Sequence, residues 1–244
     1  MAEGKGILFI SVLGVLILAI ILAIGAINRP NQYMDKTISV SGEYTKSVAP
    51  NEAKIFIQIQ TLNMDAAKSK NENAKLSNEA IAALKDAGVK DSEIETATFT
   101  ITRKEDWNQK DQENDFKGYQ VTNVLKLTTA NLDKVGDYID AAVNNGANGI
   151  NQVIFDLSEE RQNEVKSQAL AAASQNAKVK ADAISKSLNI KLGKIKTISE
   201  SVYYQPYNYY SYDMKAVGAS QSATSISPQN VDVGANVNVA YEIR

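Results

Sequence analysis

The chain has 244 residues, 44% of them hydrophobic, enough to bury a core, and its 26 basic and 28 acidic side chains nearly cancel. That balance gives no long-range field to recruit nucleic acid or an acidic substrate. With no histidine and no cysteine, the chain lacks the commonest general base, the usual zinc ligands, a thiolate nucleophile and any disulfide.

Residues 7–27 are 21 consecutive positions without a charge, long enough at 1.5 Å per residue to span a bilayer core of about 30 Å. A cleaved export signal would have a shorter apolar run, so the stretch is expected to be an uncleaved transmembrane helix after a short tail, 1–6. Lys5 precedes it while Arg29, Lys36 and Lys46 follow, a count that slightly favours a cytoplasmic C-terminus. The rule weakens for long translocated domains, and 217 residues follow Ile27. Residues 28–36, with Pro30, form a polar stalk.

Alternating apolar positions predict strands over Thr37–Tyr44 and Ala53–Leu62, with Pro50-Asn51 as a turn that would make them neighbours. Ala67, Ala74, Ile81 and Leu84 recur at helical spacing and predict a helix over Asp65–Ala87. A strand over Ile94–Arg103, a polar hairpin loop over Lys104–Lys117 and a strand over Tyr119–Thr129 follow. Asn131 is placed to cap a second helix carrying Leu132, Val135, Ile139 and Ala142.

After a strand over Gly149–Leu157, Ser158 with Glu159 and Glu160 opens a long alanine-rich helix reaching Leu188. A strand over Lys194–Val202 precedes a Tyr- and Ser-rich loop over 203–228, and strict alternation from Val231 to Ile243 predicts the last strand. The fold class is α+β, helices packed on a largely antiparallel sheet and preceded by one transmembrane helix.

Several local strings are specific. They are Ile38 to Glu43, Val48 to Ala53, Leu84 through Val89 with Thr96, Gly118-Tyr119, Gly146 to Ile150 with Phe155, and Ala169 through Ala183 followed by Leu192-Gly193-Lys194. On these strings the chain resembles the SIMPL-domain family of exported cell-envelope proteins over nearly all of residues 37–244. Two departures stand out: Pro50-Asn51 where the family pattern commonly has Pro-Asp, and an apparent anchor where many members have a cleaved signal. The resemblance implies an extracytoplasmic domain with the N-terminus in the cytoplasm, and an envelope-integrity or stress-tolerance role. Some members form rings, and the family has no catalytic motif to carry over.

The residues themselves suggest no active site. Asp111, Glu113 and Asp115 alternate like a calcium loop, but Phe116 stands where glycine is needed and Thr122 where an acid is needed. No phosphate-cradling glycine loop or nucleophile elbow is present, and adjacent Glu159 and Glu160 suit a helix start better than an acid/base pair. The expectation is therefore a non-enzyme without metal or cofactor.

The candidate interaction loop is Tyr203, Tyr204, Tyr207, Tyr209, Tyr210 and Tyr212, six rings in ten residues. No basic groove accompanies them, so nucleic acid is not an expected partner. The expected partners are the membrane through residues 7–27 and further copies of the chain, touching through the third helix, whose alanines could pack on more than one side, and through this loop. An envelope protein or polymer is the other partner class. The alternative is a monomeric binding module that holds a glycan, peptide or polymer with residues 203–212.

Overall fold

The structure, a computed structural model, describes residues 36–210 and 226–244. The anchor expected over 7–27, the stalk up to residue 35 and the 211–225 part of the Tyr- and Ser-rich segment lie outside them. Among the described residues, no helix is long and apolar enough to cross a membrane.

Two antiparallel sheets, each covered by helix on one face, organise the domain. In chain order the elements are β1 (Thr37–Val48), β2 (Glu52–Asn63), α1 (Ala66–Asp86), β3 (Ile94–Asn108), β4 (Glu113–Thr129), α2 (Val135–Asn144) and β5 (Gly149–Asp156). Then come α3 (Glu159–Ser187), β6 (Leu192–Gln205), β7 (Tyr207–Tyr210) and β8 (Val231–Ile243). One sheet has the order β1-β8-β6 and the other β3-β4-β2-β5-β7.

β1 and β2 are therefore not neighbours, contrary to the expectation from the short turn between them. Pro50-Asn51 is a corner where the chain leaves one sheet for the other. The Asn51 N–H donates to the Asp156 carbonyl at 3.0 Å, its Oδ1 accepts from the Ser158 N–H at 2.8 Å, and its Nδ2 donates to Ser158 Oγ at 3.0 Å. An aspartate would have to accept from the Ser158 hydroxyl where this asparagine donates to it. Ser158 Oγ in turn accepts from the Arg161 N–H at 3.4 Å and caps α3, so the corner and the helix start are one hydrogen-bonded unit.

The expected loop over Lys104–Lys117 is instead a continuation of the hairpin, with β3 and β4 paired out to Asn108 and Glu113. Its strand character was hidden because neither face of β3 is covered there, so no apolar alternation is imposed. The turn is tied by Asn108, whose Oδ1 accepts from the Lys110 N–H at 3.0 Å. Asn131 also departs from expectation: its side chain makes no capping bond, and a short 3₁₀ turn over Leu132–Lys134 leads into α2.

The larger core lies between the β3-β4-β2-β5-β7 sheet and helices α1 and α2. Ile55, Ile57, Ile59, Leu127 and Phe155 are fully buried there with Leu84 and Tyr138. The face of α1 differs from the predicted one, since Ala67 and Ala74 are exposed while Ser69, Asn73, Ser77, Ala80 and Leu84 are buried. Polar groups of the sheet select this face. Thr61 Oγ1 donates to the Ser69 carbonyl at 2.8 Å, Asn73 Nδ2 donates to the Ile59 and Val121 carbonyls at 2.9 and 3.3 Å, and Asn123 Nδ2 donates to Ser77 Oγ at 2.9 Å. An Asn73→Ala chain should lose about 1–3 kcal/mol in urea unfolding, because two strand carbonyls and Ser77 lose a partner where water cannot enter. Unchanged stability would mean that this seam is not formed.

On the other sheet, Val165, Ala169, Ala173, Ala177 and Ala181 of α3 recur every fourth residue and are fully buried against β1 and β8. This alanine stripe packs on the chain's own sheet, while Ala171 and Ala183 are exposed, Ala183 beside the exposed Val179 and Ile184. A junction cluster of Val48, Leu157, Val165, Val231 and Val233, with Tyr204 packed against it, ties the end of β5 to the β1-β8-β6 sheet.

Candidate interaction surfaces

The six tyrosines do not form one loop. Tyr203 and Tyr204 end β6, Tyr207, Tyr209 and Tyr210 belong to β7, and Tyr212 lies outside the described residues. Pro206 separates two strands in different sheets, β7 pairing with β5 as Phe155↔Tyr207 through Gln152↔Tyr210. The sequence read this run as loop because its rings do not alternate.

Tyr204 is a packing residue. Its hydroxyl accepts from the Leu157 N–H at 3.2 Å, and the Lys166 ammonium sits 5.4 Å from its ring centre. Tyr203 points to the opposite face of the sheet and is 48% exposed. It lies over Gly234, where any Cβ would collide with the ring, and its hydroxyl hydrogen-bonds Thr45. Further along that face, Ser39, Ser41, Thr197, Ser199 and Asn238 line a shallow recess of about 230 Å³. Asn236 flanks it, donating to Ser41 Oγ at 3.2 Å and Glu43 Oε1 at 3.1 Å. Such a face offers hydroxyls and amides to a polar ligand.

The carboxylates that resembled a calcium loop are spread along the hairpin end. Asp111 and Asp115 both accept from Asn108 Nδ2, at 2.8 and 3.2 Å, and Asp115 also meets Lys117 at 3.3 Å. Among the described residues, no three acids converge on a point that could hold a metal.

A more buried charge cluster sits on β2. The Lys54 ammonium lies 2.8 Å from Asp156 Oδ2 and 3.3 Å from Glu52 Oε1. Burial by itself would lower the lysine pKa, but the hydrogen bonds and charges of Asp156 and Glu52 outweigh it and hold it above the ordinary value. A raised folded-state pKa stabilises fully below about pH 10.4, the unfolded value, and the contribution is lost as pH climbs through the folded one. The urea midpoint should therefore fall on the alkaline side, and fall less in a Lys54→Met chain. An identical alkaline slope in the two proteins would remove Lys54 from this role.

The exposed apolar surface was not anticipated from the sequence. Along one face of edge strand β3 stand Phe99, Ile101 and Trp107, at 49%, 44% and 61% exposure, with Arg103 between them. The Arg103 guanidinium covers the Phe116 ring at 4.5 Å, and that ring meets Tyr119 edge-on at 5.4 Å. Period-2 spacing of Phe99 and Ile101 was visible, but the lack of a covering layer was not.

A family model described as SIMPL, protein of unknown function (DUF541), matches residues 38–241. Among curated proteins, the chain is 25% identical to the 26 kDa periplasmic immunogenic protein of Brucella melitensis over 241 residues, 92% of this chain and 94% of that one. It is 26% identical to the uncharacterized protein YggE of Escherichia coli K12 over 208 residues, covering 84% and 82% of the two chains. The corresponding protein of Edwardsiella ictaluri is 24% identical over 209 residues.

Proposed function

Starting from the fact that this chain belongs to the SIMPL family, we propose that it is a membrane-anchored protein of the cell envelope that acts by self-assembly and not by catalysis. The observation that carries the reading is the uncovered apolar face of β3, where Phe99, Ile101 and Trp107 stand in water in a single copy. Contacts between copies would cover them.

Placement outside the cytoplasm rests on the relative named as periplasmic, and anchoring rests on the length of the uncharged run over residues 7–27. An envelope-integrity or stress-tolerance role follows from that placement and from the resemblance. The face that carries Tyr203 and the polar recess favours a second reading, a monomeric module that binds a glycan or another hydroxyl-rich polymer.

One preparation separates the two. The full chain, purified from membranes in detergent, is weighed by sedimentation with the detergent mass matched out, and its N-terminus is sequenced. A discrete oligomer with residues 7–27 retained is the expected result. A monomer at micromolar concentration removes self-assembly, and an N-terminus near Ala26 removes the anchor.

A further inference from the structure

The proposal that follows rests on the self-assembly reading and names its surface. We propose that two copies of the chain join through the free edge of β3, antiparallel, about a two-fold axis at Lys104.

β3 is the edge of its sheet, paired over Ile94–Asn108 with β4 on one side. Among the described residues no strand lies on its other side, so alternate N–H and C=O groups face outward from Thr98 to Asn108. The register with β4 shifts at Thr96/Thr98, where β3 carries an extra residue, and at Lys104/Glu105, where the extra residue is on β4. Such a row is a template for a further strand. Proteins usually blunt such edges by keeping them short or by charging them. β3 is long, and its charges fall in a particular order.

Arg103, Lys104, Glu105 and Asp106 run from two positive to two negative residues. In an antiparallel pair directly opposed residues share a face, so a two-fold axis must pass beside one residue and pair each position with another of the same parity. An axis at Arg103 would oppose two guanidiniums, and one at Glu105 would oppose two carboxylates. That last axis would also set Ile101 against Gln109, beyond the end of the strand.

With the axis at Lys104, Arg103 of each copy lies opposite Glu105 of the other. These residues already meet within one strand at 2.5 Å, so pairing closes a four-charge ring of alternating sign. On the same face Ile101 of each copy lies opposite Trp107 of the other, which covers the most exposed residue of the apolar stripe and leaves Phe99 on the diagonal from that Trp107, within reach of an aromatic side chain. The one like pair, Lys104 with Lys104, falls on the opposite face. Each ammonium there has Asp106 beside it at 3.5 Å in its own strand and Asp106 of the other copy on the diagonal, within reach of long side chains.

The occupant is thus a second copy, since a strand of unrelated sequence would have no reason to match both the charge order and the apolar spacing. The interface is isologous and closes on itself, leaving the other edge of the sheet and the β1-β8-β6 sheet free.

The absence of cysteine makes the test clean. Directly opposed residues of an antiparallel pair have Cα atoms about 4.5–5.5 Å apart, within the range a disulfide spans. The full-length Lys104→Cys chain in detergent, mildly oxidised, should form a covalent homodimer at least about tenfold faster than Asp111→Cys, an equally accessible position at the hairpin tip, because pairing raises the local thiol concentration to the millimolar range. Mixed Arg103→Cys and Glu105→Cys chains should give the mixed dimer in preference to either homodimer.

Equal rates for Lys104→Cys and Asp111→Cys, with the sedimented oligomer intact, would overturn the β3 pairing and leave self-assembly standing. A monomer in sedimentation would overturn both. A covalent adduct to a different polypeptide would replace the second copy by strand donation from another protein.

Discussion

A Gly42→Val chain should lose at least about 3 kcal/mol of stability, the upper end of the range for overpacking, and much of its α3 helix at low urea. A Cβ at position 42 would stand 2.0 Å from the Ala173 carbonyl oxygen and 2.4 Å from the Ala177 nitrogen. Those are backbone atoms, so no rotamer change can relieve the contact. The helix must rise off the sheet, and the fully buried methyls of Ala169, Ala173, Ala177 and Ala181 then lose contact with Val237 and Val239. Alanine at the same site should be nearly as damaging, because the collision begins at the first carbon. The measurement is urea unfolding followed by far-ultraviolet circular dichroism. A loss below about 1 kcal/mol, the ordinary effect of a point change, would mean that α3 is not seated on β1.

The second large effect is expected at Phe155. Its ring is fully buried in the core between the five-stranded sheet and the α1–α2 pair, so Phe155→Ala should cost about 3–5 kcal/mol through lost burial and the cavity left behind. Phe99→Ala, the same chemical change on β3, should cost far less in the monomer because that ring is 49% exposed. In the assembled protein the order of effects changes only for oligomer dissociation, where Phe99→Ala should act and Phe155→Ala should not act separately from unfolding. Equal unfolding costs for the two would contradict the layer assignment.

Much of the element list was legible because it depends on neighbours in sequence. The final strand from Val231 to Ile243 and the helix start at Ser158 with Glu159 and Glu160 stand where period and capping chemistry put them. The local strings that carry the family resemblance were legible for the same reason.

What escaped is what another element decides. β1 pairs with β8, almost two hundred residues away in sequence, and nothing in Thr37–Tyr44 distinguishes that partner from β2. The buried face of α1 is polar at Ser69, Asn73 and Ser77 because Thr61 and Asn123 lie beneath it, so a search for apolar spacing picked Ala67 and Ala74. β3 runs to Asn108 without alternation because no layer covers it, and the tyrosine run divides between two sheets at Pro206.

The sequence by itself thus determined most of the helices and strands, through local periodicity and capping, and which family they compose, but not the outer part of the β3–β4 hairpin or β7. Only the tertiary structure decided which faces are covered, and with that which apolar residues are core and which are surface. The physical reason is that burial is a property of two elements brought together, while periodicity is a property of one.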